Sequence, residues 1–277
     1  MRGMRHTIYK TPAQLRLMIP PGLATAASLD ACEAALRPGI TTGELDRLAE
    51  RAIRDLGAEP NFVLEPGYHN TVCASVNDEV VHGIPGTRVV RAGDLVSIDS
   101  GAIQNGWNGD AARSFVVPDE DRPDVVAARA RLNEVTRRSL WHGIAALAAA
   151  SYLYEVGAAI EGFVRSQGDY GVLTDYVGHG IGRHMHEDPP VPNYRVKQKG
   201  PEVRPGLVVA IEPMITQGSP ATSVRPDGWT VVTDDHGDAA HWEHTVAVHK
   251  DGIWVLTAAD GGARELAEFG IVPVRPA

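Results

Sequence analysis

The stretch Asp94-Leu95-Val96-Ser97-Ile98-Asp99-Ser100-Gly101-Ala102-Ile103-Gln104-Asn105-Gly106-Trp107-Asn108-Gly109-Asp110 decides the fold of this chain. Asn105-Gly106 between two β-type runs is the strongest short hairpin signal, because a two-residue type I′ turn needs positive φ at both positions. Residue numbers paired across such a turn sum to 211, so Gly101 faces Asp110 and Asp99 faces Ala112. Asp99 and Asp110 become diagonal neighbours on one face, with backbones roughly 7–8 Å apart. Gly101 adds no side chain to the space between them. Two carboxylates placed this way, with no arginine in the segment, repel each other unless a proton or cation sits between them. A divalent metal answers the problem better than a pair of solvated, turn-flanking aspartates.

Working outward, Thr11-Pro12-Ala13-Gln14 is a capping-box pattern with proline at the first helical position, so a helix starts there. Pro20-Pro21 should interrupt or kink it before it resumes through Leu29 and Leu36. A second capping box, Thr41-Thr42-Gly43-Glu44, opens a helix with Leu45, Leu48, Ala52, Ile53 and Leu56 on one face. Short β-type runs follow at 71–76, 94–103 and 107–117, then helical stretches at 123–149 and 154–167, then strands at 207–212, 230–233, 243–249 and 253–257. Helices, strands, helices and strands in succession predict an α+β domain in two similar halves.

In the second half, Gly178-His179-Gly180-Ile181-Gly182-Arg183-His184-Met185-His186-Glu187-Asp188-Pro189 packs three histidines into eight residues of a glycine-rich loop. It lacks both the GxGxxG spacing of a nucleotide fingerprint and the HExxH spacing of a zinc protease helix. Its glycines let backbone approach closely while imidazoles project into the same space. Two acids also stand beside apolar runs, Glu212 after Leu207–Ile211 and Glu243 before Val246. Taken singly each is an ordinary strand end, and His82 before Gly83 is an ordinary imidazole. Taken jointly, two Asp, two Glu and a His form an O/N donor set for ions such as Mn²⁺, Fe²⁺, Co²⁺ or Zn²⁺. Four carboxylates suffice for two ions about 3.5 Å apart, an arrangement suited to metal-assisted hydrolysis.

Composition narrows the remaining classes. The 277 residues are 43% hydrophobic and 22% charged, close to globular averages, with a net charge of −9 that argues against a mainly electrostatic grip on nucleic acid or anionic lipid. Cys32 and Cys73 form no CxxC pattern, which excludes a disulfide scaffold or cysteine zinc site and fits a reducing compartment. No apolar run follows the early arginines of Met1–His6, so no signal peptide is expected and the cytoplasm is the expected address.

Five dispersed features stand in a fixed order: Asp99, Asp110, the loop around His179 and His186, Ile211-Glu212-Pro213-Met214, and Trp242-Glu243-His244-Thr245. In these the chain resembles type I methionine aminopeptidases, a metallopeptidase family of the pita-bread fold. The similarity runs from about Ile8 to Thr257 and takes in Lys10-Thr11-Pro12, Ser75-Val76-Asn77-Asp78 and His82-Gly83-Ile84-Pro85. It implies two pseudo-symmetric halves with a curved, mainly antiparallel sheet covered by helices. Residues 1–277 would form one catalytic domain, with a short lead at 1–10 and a tail from about 258.

The resemblance further implies cotranslational removal of the initiator methionine when the second residue is small. Asp99, Asp110, His179, Glu212 and Glu243 would hold two divalent ions (Co, Mn, Fe, Zn or similar), with Asp110 and Glu243 bridging them. Glu212 would also shuttle the proton, while His186 and His82 would contact the substrate at the scissile carbonyl and on the amide-nitrogen side. Tyr68, Cys73, Met185 and Trp229 match residues of the methionine pocket. Glu65 replaces a usual tyrosine there, Met185 a usual phenylalanine, and Ala239-Ala240-His241 the commoner Ser-Ala-Gln. The implied partners are N-termini of nascent polypeptides, with room left for ribosome contact; the acidic balance argues against a membrane or specific nucleic acid, and the lack of an evident coiled coil or extra domain makes a monomer the expected state. An Xaa-Pro aminopeptidase or dipeptidase of the same fold shares the five-ligand pattern but usually carries an additional N-terminal domain. The type II subclass has an insertion where only 33 residues separate His179 from Glu212 here. A non-catalytic peptide- or ribosome-binding relative should have lost ligands, and none is missing.

Overall fold

The computed structural model describes residues 8–277. The reading of Met1–His6, and the expected lead as far as residue 7, lie outside the described residues. Helix α1 (Pro12–Ala35) starts as its capping box requires: Thr11 Oγ1 accepts from Gln14 N at 3.3 Å, and Gln14 Oε1 accepts from Thr11 N at 2.8 Å. Pro20 and Pro21 do not interrupt it, contrary to expectation, and it runs on for 24 residues, leaving Leu36 as the C-cap. Tertiary burial overrides the local penalty, because Met18, Ile19, Ala24 and Leu29 all pack inward around the prolines. Thr25 Oγ1 also donates to the Pro21 carbonyl at 3.0 Å.

Helix α2 (Thr42–Asp55) has the expected Thr41/Glu44 box. Its inner face is Leu45, Ala49 and Ile53, whereas Leu56 is the C-cap and 51% exposed, so the expected stripe is one turn too long. Helices α3 (Pro123–Ala149) and α4 (Glu155–Gln167) fall where the periodicity places them.

The main sheet runs in the order Glu59–Pro60, Leu95–Gln104, Trp107–Val116, Glu243–His249, Val208–Ile211, Gly178–Gly180, Glu187–Val191, with every pairing antiparallel. Val72–Val76 adds to Leu95–Gln104, and Gly252–Val255 adds to Glu243–His249. Asn105 and Gly106 have φ of 52° and 72°, and the hairpin register is the expected one, Gly101 to Asp110 and Asp99 to Ala112.

Each half of the sheet is covered by its own pair of helices. Leu29 and Cys32 of α1 and Leu45 and Ala49 of α2 pack on Val72, Ala74, Val96, Ile98 and Ala111. Leu140, Ile144 and Leu147 of α3 and Val156 and Ile160 of α4 pack on Val209, Ile211, Val246 and Val248. The α+β class with two similar halves is thus realised as helix pairs on one antiparallel sheet. Near the end of the chain, Phe269 and Ile271 fold back onto the second-half core. Among the described residues no helix is long and apolar enough to cross a membrane.

Helix α1 crosses Trp107–Val116 at a point where no side chain fits. A Cβ on Gly22 would lie 2.4 Å from the Leu256 carbonyl oxygen, and one on Gly109 would lie 2.8 Å from Gly22 Cα. Alanine ordinarily stabilises a helix interior by about 1 kcal/mol over glycine, and Gly162 in α4, with nothing within 4 Å of its Cβ position, should follow that rule. Gly22→Ala should reverse it, costing about 1–3 kcal/mol through overpacking. Urea denaturation of the two variants checks the pair, and a stabilised Gly22→Ala would contradict the close crossing.

Candidate metal centre

One row across the sheet builds the site. Cys73 pairs with Asp99, Asp99 with Ala112, and Ala112 with Glu243, so a methyl group is all that separates two acids two strands apart. Asp110 lies two residues before Ala112 on the same face. Glu212 follows Ile211, the residue paired with His244, and so stands beside Glu243. His179 is paired with Ala210 on a strand squeezed between two others. The flanking glycines permit that squeeze: a Cβ on Gly178 would meet the Ala210 oxygen at 2.3 Å, and one on Gly180 the Asp188 oxygen at 2.1 Å.

The donors form overlapping groups. Asp99, Asp110 and Glu243 offer atoms within 4.8 Å of one another, and so do His179, Glu212 and Glu243. A third group joins Asp110 and His179 with His186. The His179 Nε2 atom is 3.8 Å from Asp110 Oδ2 and 3.5 Å from Glu212 Oε1. Its Nδ1 lies 2.9 Å from the Gly180 carbonyl, which can only accept. Nδ1 therefore carries the proton, and the Nε2 lone pair points at the carboxylates, the tautomer a metal ligand needs.

Electrostatics identify what is missing. Among the described residues, none of the four acids makes an ion pair with lysine or arginine; the ionisable side chains that face them are two imidazoles, His179 and His241. Asp99 Oδ1, Asp110 Oδ1 and Glu243 Oε1 are buried without a hydrogen bond. Burial raises Asp99 to about 7. Burial, then Asp99 and Glu212, pushes Asp110 well up, and burial, then Asp110, Glu212 and Asp99, does the same to Glu243. Glu212 is raised by burial and by Asp99. Burial followed by the neighbouring His186 lowers His179 to about 4, keeping it neutral. Orphaned carboxylate oxygens facing a neutral imidazole lone pair fit divalent cations.

A cavity of about 170 Å³ opens over this cluster. Tyr68, Cys73 and Met185 are buried in its wall and Trp229 is half-buried, with Tyr68 and Trp229 edge to face at 5.0 Å. Phe62, which sequence reasoning missed, completes the wall at 6.4 Å from Tyr68. Its only sequence signal is an aromatic residue in a turn-rich segment. Glu65 lies at the rim, 3.8 Å from Nδ1 of the exposed His186. His82 is held in the left-handed region at φ 60°, its ring edge-on to Tyr176 and Trp229 at 5.7 and 6.4 Å. Burial and His186 lower its pKa. Tyr176 likewise has no sequence signal that would single it out. A larger groove, about 710 Å³, lies elsewhere; its lining includes the ion pairs Arg113 with Asp30 and Arg137 with Glu265 and contributes no residue to the donor groups. Unpaired chemistry, rather than size, marks the site.

Residues 19–250 match the model of metallopeptidase family M24. Methionine aminopeptidase 1 of Mycobacterium tuberculosis is 46% identical over 263 residues, spanning 93% of this chain and 97% of that protein. The crystal structure of methionine aminopeptidase from Thermotoga maritima superposes with a TM-score of 0.84 at 38% identity, covering 90% of this chain and 98% of that one. Prolidase from Pyrococcus furiosus shares the fold at a TM-score of 0.67 and 21% identity, with 91% of this chain matching 66% of that one.

The raised carboxyls set a sign for stability against pH. Without metal, the folded chain holds a proton on Asp99 up to about pH 7, whereas an unperturbed aspartate at 3.8 has already lost it. This contribution is complete below 3.8 and is lost as pH rises through 7. The melting temperature of the chelator-treated chain should therefore fall between about pH 5 and pH 8, and saturating Mn²⁺ should cancel the fall. A metal-free melting temperature that rises across this interval would refute the buried, self-repelling cluster.

Proposed function

The chain belongs to metallopeptidase family M24, among its methionine aminopeptidases of type I, and from that premise we propose that the carboxylate centre hydrolyses the bond after an initiator methionine. The chain acts on protein N-termini and uses divalent metal. The observation that carries the reading is the cluster of four acids and a neutral imidazole, with three orphaned oxygens, at the floor of an aromatic and sulfur-lined cavity.

Asp99, Asp110, His179, Glu212 and Glu243 would hold two divalent cations. Divalent cations supply Lewis acidity there and make water a competent nucleophile at neutral pH. Glu212, ionised once divalent charge lies beside it, would take the proton from the attacking water and return it to the departing amine, and its burial raises its affinity for that proton while it is held. His186 donates an N–H to the scissile carbonyl as charge grows on its oxygen, and His82 supports the amide-nitrogen side. Tyr68, Cys73, Met185, Trp229 and Phe62 enclose the methionine side chain, whose thioether packs well on aromatic edges. In this reading residues 1–277 act as one catalytic domain, a monomer working on nascent chains at the ribosome in the cytoplasm.

With Mn²⁺ or Co²⁺ the purified chain should release methionine from Met-Ala-Ser and leave Xaa-Pro peptides intact. Absence of release with every divalent ion, or equal turnover of Xaa-Pro substrates, would overturn the reading. Asp110→Asn and Glu243→Gln should each abolish turnover and reduce bound metal, measured by calorimetry, while the chain stays folded by circular dichroism. His186→Ala should lower kcat by roughly 10²–10³, the scale for losing one oxyanion donor.

A further inference from the structure

One buried imidazole beside this centre has no assigned task. His241 ends the Ala239–His241 strand, opposite Met214, and is 2% exposed. Its Nε2 is buried and makes no hydrogen bond. Its backbone is clamped by one hydroxyl: His241 N donates to Ser114 Oγ at 3.0 Å, and Ser114 Oγ lies 2.8 Å from the His241 carbonyl, its acceptor. Ser97 Oγ backs that hydroxyl at 2.7 Å. The ring thus sits on a fixed strand, and its Nε2 faces Glu212 Oε2 at 3.7 Å. The other Glu212 oxygen, Oε1, faces His179 Nε2 at 3.5 Å. Each oxygen of one carboxylate therefore has its own imidazole.

We propose that His241 is a positioning residue: its Nε2–H donates to Glu212 Oε2 and fixes which oxygen Glu212 presents to the metal centre. The two imidazoles divide the work because their tautomers differ. His179 has its proton on Nδ1, toward the Gly180 carbonyl, and offers Oε1 only a lone pair, which is tolerable when a cation sits between them. His241 Nε2 makes no hydrogen bond and faces Glu212 Oε2, so a proton there satisfies the orphaned nitrogen and one carboxylate oxygen together. The bond forms from the protonated ring and from the neutral ring in its Nε2–H tautomer alike. A small side-chain rotation closes 3.7 Å to charge-assisted hydrogen-bond length. With Oε2 anchored, the carboxylate plane is set and Oε1 is the oxygen directed at His179. Removing the donor frees the side chain to rotate and lets both oxygens compete for the same place.

The inference rests on the reading of Glu212 as ligand and proton carrier, and its test separates the two. Mn²⁺ affinity by calorimetry, metal-free melting temperature, and kcat and KM on Met-Ala-Ser are measured for the full chain and for His241→Leu, His241→Met and His241→Gln. Loss of an outer-shell donor should weaken Mn²⁺ binding and lower kcat by about 10–100-fold in the apolar variants, with KM within about twofold. Glutamine places an N–H donor at similar reach and should restore both to within about threefold of the starting chain. Leucine or methionine variants that melt earlier but keep kcat and Mn²⁺ affinity would reduce His241 to a packing residue and overturn the inference. So would a glutamine variant as impaired as the apolar ones. If leucine prevents folding, the methionine variant carries the same comparison. Failure of the unsubstituted chain to release methionine would instead strike the functional reading, and the Mn²⁺ affinities would still decide the role of His241.

Discussion

Repulsion among four carboxylates on one patch of sheet is the constraint around which this molecule is arranged. Two unit charges about 5 Å apart repel by roughly 3 kcal/mol at an effective dielectric of about 20, and four such groups give several pairs. The fold cannot hold them all ionised without help, and among the described residues it offers no lysine or arginine to any of them. What it offers is geometry: Ala112 between Asp99 and Glu243, and a histidine presented by a strand with glycine on either side. Small residues occupy the positions between large polar ones because the acids must converge on a common point. The helices lie on the opposite, apolar face of each half, where they stiffen the sheet without crowding the cluster.

Much of this is legible in the sequence because it is local. Asn105-Gly106 fixes its own turn, the turn fixes the register, and the register places Asp99 and Asp110 on one face before any tertiary contact is known. Glu212 and Glu243 stand out as acids bordering apolar strands, and the glycine-rich histidine loop stands out by composition. The structure brings all of them together with His179 in overlapping groups. What the sequence hides is set by partners distant along it. The α1 prolines look like a break because the packing that outweighs them comes from strands far along the chain. Phe62 and Tyr176 gain meaning only from rings at Tyr68 and His82. His241 differs from a commoner glutamine in sequence, but its orphaned nitrogen and its distance from Glu212 are properties of the assembled sheet.

The cavity has two chemically distinct sides. Its inner wall, Phe62, Tyr68, Cys73 and Met185, is buried and apolar or sulfur-bearing. Its rim carries His186 and Glu65, with side chains 60% and 40% exposed. Such a partition keeps the electrostatics strong at the floor, where water is scarce, and leaves the outer imidazole in contact with solvent. Lys10 joins the rim loop to the start of the chain through Glu187 at 2.8 Å, with its own side chain only 6% exposed. The loop that presents the histidines is therefore tied down at Glu187, and again where Asn108 Nδ2 donates to the Gly182 and Arg183 carbonyls and Arg183 donates to the Asn105 and Gly106 carbonyls.

The order in which the donors occur along the chain has a temporal meaning. Asp99 and Asp110 belong to a hairpin that closes on itself, whereas Glu243 arrives 144 residues after Asp99 and inserts between strands from both halves. During synthesis the hairpin that carries the first two acids emerges long before the strand that completes the cluster, and pairing over so long a separation is the slow kind. The centre is thus assembled by the strand that also sutures the two halves together. A chain able to do chemistry is one whose halves have already joined, so turnover in such a protein reports on completed folding as well as on the residues that carry it out.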